Sequence, residues 1–224
     1  MTTTAVDHLV VAAATLADGV RWCEATLGAT PAPGGKHALM STHNRLLDLS
    51  SPAFPRCYLE IIAVDPEAPA PGRARWFGLD DAALQRRLAA DGPQLIHMVA
   101  RTDNLDMHRW GLIQKGFNPG TTIAASRGAL HWRIVVRDDG GLEAGGALPT
   151  LIEWGAGSAH PCDVLPASGL ALAALRLHGL GPAAGDVLRL PGVTLDPGAA
   201  AAPGPRATLT TPRGEVVLAP GGRV

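Results

Sequence analysis

Four landmarks in this chain occur twice, and the second occurrence follows the first at a nearly constant distance. His8 and His97 are 89 residues apart. Trp22 and Trp110, each six residues before a glycine, are 88 apart, as are "HNR" at His43 and "HWR" at His131. Glu60 in "YLEII" and Glu153 in "LIEWG" are 93 apart. An offset that drifts only by loop-sized amounts marks an internal repeat. With two full copies rather than many, the repeat means one supersecondary unit used twice, not a solenoid.

Each copy reads as strand, helix, then strands. "AVDHLVVAA" (residues 5–13) alternates as a strand, with Val6, His8 and Val10 on one face and Asp7 on the other. In "TLADGVRWCEATLG", Thr15 suits a helix N-cap, Leu16, Val20, Cys23 and Leu27 form an apolar stripe, and Gly28 suits the C-terminus. A Pro/Gly loop then leads into the strand-like "HALMSTHNRLLDLS" and "RCYLEIIAVDP". The second copy offers the strand "LIHMVARTD", a helix from Asp103 or Asn104 to Gly116, and the strands "GALHWRIVV" and "PTLIEWG". Trp22 and Trp110 are expected in the core. Beyond residue 162, "LALAALRLHGL", a short helix near "GPAAGDVLRL" and a hairpin turning at "TPRG" read as a third, partial unit. "DPGAAAAPGP" (residues 196–205) reads as a surface loop.

The 224 residues suffice for a proper core, and a formal net charge of -1 without a basic tract argues against nucleic acid as the main partner. Apolar runs are short and broken, so no membrane span is expected. The N-terminus lacks the basic and apolar regions of a signal peptide. Three widely spaced cysteines, Cys23, Cys57 and Cys162, read as free thiols of a cytoplasmic protein.

The repeat also duplicates charge. Each copy carries a His in its first strand and a Glu in its last. Glu60 in an apolar strand either points outward or serves something inside, because a buried carboxylate needs compensation. If the faces of His8 and Glu60 turn inward and the copies are related by a twofold axis, His8, Glu60, His97 and Glu153 converge. Two imidazoles and two carboxylates suit a divalent first-row metal ion with open positions. His43, Asn44 and Arg45, with His131 and Arg133, form either a substrate-contacting wall or a solvent-facing one. Trp76 and Phe77 in "RWFGLD" either cover the cleft mouth or pack plainly. His37, after "PGG", either approaches the site from a loop or lies at the surface, the latter being expected.

With these positions in view, "DHLVVAAATLADGVRW", "THNRLLDL", "YLEIIAVDP" and "RWFGLD" resemble the bacterial glyoxalase-like domain proteins of the vicinal oxygen chelate superfamily, which includes glyoxalase I, ring-cleaving dioxygenases and bleomycin-resistance proteins. The resemblance implies an α+β fold in which two βαβββ modules form a curved, partly open mixed β-barrel. Residues 1–162 would form the paired-module domain, and residues 163–224 a C-terminal partial third module packed on it. It implies a divalent metal ion (Zn, Ni, Mn or Fe) on His8, Glu60, His97 and Glu153, with Glu60 or Glu153 as proton-transfer base. Substrate contacts would come from His43, Asn44, Arg133 and Trp76. The implied activity is that of a lyase or isomerase on a small oxygen-chelating metabolite; the alternative is a metal-free protein that sequesters a small molecule. A homodimer is compatible with either.

Overall fold

The computed structural model describes residues 3–198 and 202–223. In the first copy, β1 (Thr4–Ala12) leads into α1 (Leu16–Leu27), which Thr15 caps by accepting from the Asp18 amide and Gly28 ends in the left-handed region. There follow β2 (Ala32–His37), β3 (Thr42–Asp48) and β4 (Tyr58–Val64). The segment linking the copies holds a 3-10 turn at Trp76–Gly78 and α2 (Ala82–Asp91), whose amides Asp81 caps. The second copy comprises β5 (Gln94–Thr102), α3 (Leu105–Gln114), capped by Asn104, β6 (Thr121–Arg127), β7 (Leu130–Val136) and β8 (Thr150–Trp154).

The repeat becomes a symmetry. The eight strands form one sheet in the order β2-β3-β4-β1-β5-β8-β7-β6. Read outward from the central antiparallel pair β1–β5, both halves run in the same order, and in each the first strand lies parallel to the last. The edge strands β2 and β6 approach each other, so the sheet curves into a partly open barrel.

Its concave face carries Val10, Ala12, Ile62, Val99, Ile134 and Ile152, covered at one end by Trp76, Phe77, Leu84 and Leu88 of the linking segment. The convex face packs against α1, α3 and a second sheet. That sheet comes from β9 (Ala171–His178), β10 (Val193–Asp196), β11 (Gly204–Thr211), β12 (Gly214–Ala219) and β13 (Gly222–Arg223), with α4 (Pro182–Leu188) between β9 and β10. The C-terminal segment repeats the modules' element order through β12, but its strands pair as β10-β9-β11-β12-β13. Leu172, Leu175, Leu177 and Leu209 from it and Leu9, Leu59 and Met98 from the first sheet lie in one core. The hairpin turns at Thr211–Gly214 as expected.

Several elements depart from the sequence reading. "APGGKH" is the edge strand β2, not a loop; proline and glycine are tolerated there because one side of the strand needs no ladder partner. α2 and β6 are additional elements. Trp110 is 57 % exposed rather than core, and Trp22 is half-buried. Of the loop expected at residues 196–205, positions 199–201 lie outside the described residues, and Gly204 and Pro205 begin β11. Val6 and His8 do not share a face, since Val6 packs on the convex side.

Candidate functional site

A β-bulge explains the last departure. Val6 pairs with Ala100 and His8 with Val99, which leaves Asp7 as the extra residue of β1. The bulge resets the alternation and turns His8 to the concave face, with Asp7 beside it. Asp7 is fully buried. It accepts from His8 Nδ1 (2.7 Å), Trp154 Nε1 (2.9 Å) and His160 Nε2 (3.1 Å). Burial pushes its carboxyl up, but the hydrogen bonds from His160 and His8 outweigh this and hold it well below the usual carboxylate range. Because the carboxylate can only accept, His8 carries a proton on Nδ1 and turns Nε2 towards the cavity. There Nε2 lies 3.5 Å from Glu60 Oε2, and Tyr58 stacks on the imidazole.

Glu60 points inward, 5 % exposed. Asn44 Nδ2 donates to its Oε1 at 2.6 Å. The amide is oriented by the Gly35 N–H, which donates to Asn44 Oδ1 at 2.8 Å. This contact requires the glycines of β2: a Cβ on Gly34 would lie 2.1 Å from Asn44 Oδ1, and one on Gly35 2.5 Å from Arg127 Cδ. Arg127, at the end of β6, reaches across the barrel opening and donates through Nη1 to Asn44 Oδ1 and His37 Nε2, both at 3.3 Å. His37 is buried, not at the surface; its Nδ1 donates to Thr42 Oγ1, and burial pushes its pKa down to about 4, so the ring is neutral at neutral pH.

The second copy diverges. His97 also follows a bulge, with Ile96 as the extra residue, and faces the concave side. However, its Nε2 accepts from the Thr150 N–H (3.1 Å) and lies 3.0 Å from Thr150 Oγ1, while Nδ1 donates to Gly146 O (2.9 Å). Burial lowers its pKa to about 4. Phe77 stands against this ring and lines both the small pocket of His97 and the cavity of Glu60. Strand register shows why no carboxylate joins His97. Val10 is paired with Glu60, and its equivalent Val99 with Thr150. The structural counterpart of Glu60 is therefore Thr150. Glu153 sits three positions further along, and an odd displacement turns a side chain to the opposite face. On that convex side it pairs with Arg133 and accepts from the Leu105 N–H at the start of α3.

The sequence profile of the family described as "Glyoxalase-like domain" matches residues 6–188. The chain belongs to the glyoxalase-like domain family. The paired modules and the palindromic strand order fit its placement in the vicinal oxygen chelate superfamily. No curated protein sequence matches the chain. Similar solved structures include a methylmalonyl-CoA epimerase in complex with methylmalonyl-CoA and NH4+ (18 % identity, 70 % of this chain and 99 % of that one, TM-score 0.45). Others are a hypothetical protein from Staphylococcus aureus (10 %, 78 % and 69 %, 0.49) and the methylmalonyl-CoA epimerase from Mycobacterium tuberculosis (18 %, 67 % and 86 %, 0.41). At such values no activity is carried over from them.

The metal set that the glyoxalase-like resemblance implies does not fit this arrangement. His8 and Glu60 offer two neighbouring donors. The His97 Nε2 lone pair is taken by Thr150, and Glu153 lies on the other face of the sheet. Among the described residues no group of three or more His, Cys, Asp or Glu is placed to hold a metal ion. Of the expected substrate contacts, Asn44 and Trp76 line the cavity. His43 and Arg133 do not: one step from Asn44 and from Ile134, each takes the opposite face, Arg133 pairing with Asp106 and Glu153 and lining, with Glu153, an adjoining groove instead.

The cavity of this glyoxalase-like protein is one-sided. His8, His37, Asn44 and Glu60 of the first copy make it polar, whereas the second, apart from Arg127, contributes the apolar Ile134, Ile152, Trp132 and Trp154. At about 30 Å³ it has room for roughly one water molecule. Trp132 and Trp154 also wall a groove of about 670 Å³ that includes Leu39, Ala125 and His131. Asp7 and Arg127 were not placed at the site from the sequence, and His37 was expected at the surface rather than buried in it. Asp7 and His37 were legible only as an acid beside a His and a His after glycines, and Arg127 gave no signal, because it enters from the far edge of the barrel.

Proposed function

We propose that this glyoxalase-like protein is an isomerase-type enzyme that moves a proton on a small carbonyl compound, with Glu60 as the base. The carrying observation is the buried Glu60 carboxyl in a cavity where His8, its tautomer set by Asp7, presents Nε2 at 3.5 Å. Glu60 would take a proton from the carbon next to the carbonyl, the electron pair moving onto the carbonyl oxygen. Arg127 would stabilise that oxygen by charge and hydrogen bonding. Return of that proton from Glu60 to the neighbouring atom completes an isomerisation. The substrate's reactive end enters the cavity and its body lies in the adjoining groove, which requires the Trp132–Trp154 wall to shift. The three free cysteines support a cytoplasmic setting for this reaction.

Proton–deuterium exchange at the α-carbon of small 2-oxo compounds, followed by NMR in D₂O, tests the reading. Exchange is expected with the native protein after EDTA treatment, and a loss of at least a hundredfold in Glu60→Gln. Exchange that disappears with EDTA and returns with Mn²⁺ or Zn²⁺ would replace this reading with the metal-dependent lyase or isomerase. Binding without exchange in any condition would make the protein a sequestering one.

A further inference from the structure

Arg127 is set apart from the guanidinium groups held by carboxylates. Arg133 and Arg137 each grip two carboxylates, and Arg75 grips one. Arg127 has no carboxylate partner among the described residues, and its two hydrogen bonds are long, both 3.3 Å, to an amide oxygen and a neutral imidazole. It lines a cavity whose remaining wall is largely aromatic and aliphatic. A second donor there is unused: Trp76 is 4 % exposed, and its indole N–H is buried without an acceptor. A buried N–H without a partner is costly, and a guanidinium half-removed from water without an anion is more so. Both groups are donors only, so an occupant that satisfies them must present oxygen lone pairs, and preferably negative charge.

We propose that Arg127 and Trp76 form a carboxylate-binding subsite, and that the substrate is a small carboxylic acid whose reacting carbon lies one or two atoms from the carboxylate. The inference rests on the reading of Glu60 as base. Spacing joins the two: Asn44 alone separates Arg127 from Glu60, accepting from the guanidinium through Oδ1 and donating to the carboxyl through Nδ2. A carboxylate held at Arg127 thereby places the α- or β-carbon of the same molecule at Glu60. The guanidinium also offsets the repulsion that an anionic substrate would meet from Glu60. The apolar wall of Trp132, Ile134 and Ile152 suits an alkyl or aryl substituent on that acid.

Calorimetric titration with phenylpyruvate and with its methyl ester tests the subsite on the full chain. The acid is expected to bind at least tenfold more tightly than the ester. Arg127→Met should abolish that preference, Arg127→Lys should retain part of it, and Trp76→Phe should weaken the acid more than the ester. Thermal melts confirm that each variant is folded. Equal affinity for acid and ester in the native protein, or a preference that survives in folded Arg127→Met, overturns the subsite. Glu60→Gln separates the two readings. If it keeps the preference but loses exchange, both stand; if it keeps both, the base assignment fails and the subsite stands. Exchange lost in Glu60→Gln with no acid preference in the native protein leaves the base and removes the subsite.

Discussion

Two histidines at equivalent positions have different tasks, and the atoms beside them decide which. His8 has a carboxylate behind it and a carboxyl in front; His97 has a carbonyl behind it and the Thr150 N–H in front. His97 is thereby fixed as a neutral, structural ring. Its acid behaviour gives a prediction. Burial lowers the pKa of His37 and of His97 from 6.5 to about 4. Between those values the unfolded chain binds a proton at each site that the folded chain refuses, so stability is complete above pH 6.5 and falls as pH drops towards 4. The loss is on the order of 3 kcal/mol per histidine, large beside a total of roughly 5–15 kcal/mol. Urea denaturation at pH 7.5, 6, 5 and 4.5 should show this decline, and His97→Gln should reduce its slope by about half. A stability that is flat down to pH 4.5 would contradict the buried, neutral state of both rings.

Elements are placed by close approaches that only glycine permits. At Gly19 of α1, a Cβ would lie 2.4 Å from Ile61 Cγ2 and 3.2 Å from Ala13 Cβ, so the helix sits directly on the strand that carries Glu60. In an exposed helix, glycine to alanine would stabilise by about 1 kcal/mol. Here overpacking costs about 1–3 kcal/mol, because Ile61 is fully buried and cannot swing aside. Gly19→Ala is therefore expected to lower stability by up to about 2 kcal/mol in chemical denaturation; a gain would mean that α1 stands off the sheet. The glycines of β2 act alike for Asn44. Their reading as a loop was wrong because Pro and Gly report conformational permissiveness, which a loop and a tightly approached edge strand share.

At the scale of the molecule, the C-terminal sheet completes the core of the first. Leu172, Leu175, Leu177 and Leu209 are fully or almost fully buried, in the same cluster as the convex face of the eight-stranded sheet. At about 1.5–3 kcal/mol for each buried leucine, the four together are worth about 6–12 kcal/mol, comparable with a typical total stability of about 5–15 kcal/mol. Residues 1–162 alone are expected not to fold, and the whole chain to unfold in one transition by both fluorescence and circular dichroism. A folded 1–162 fragment, or two separate transitions, would show that the C-terminal sheet is independent.

The sequence by itself determined the twofold plan. The landmark offsets predicted two copies of one unit, the cap at Thr15, a cap at Asp103 or Asn104 and the glycines at 28 and 116 bounded α1 and α3, and the charge in "YLEII" singled out Glu60 as a residue that either points outward or serves something inside. These are local signals, carried by periodicity and end chemistry. Tertiary structure alone decided which duplicated residues meet. A strand has a period of two, so the bulges at Asp7 and Ile96 and a three-residue error in aligning Glu60 with Glu153 each reverse a face. The sequence pattern records the repeat but not its register. For the same reason Thr150 rather than Glu153 stands opposite His97, and Arg127, distant in sequence, completes the site from the far edge of the barrel.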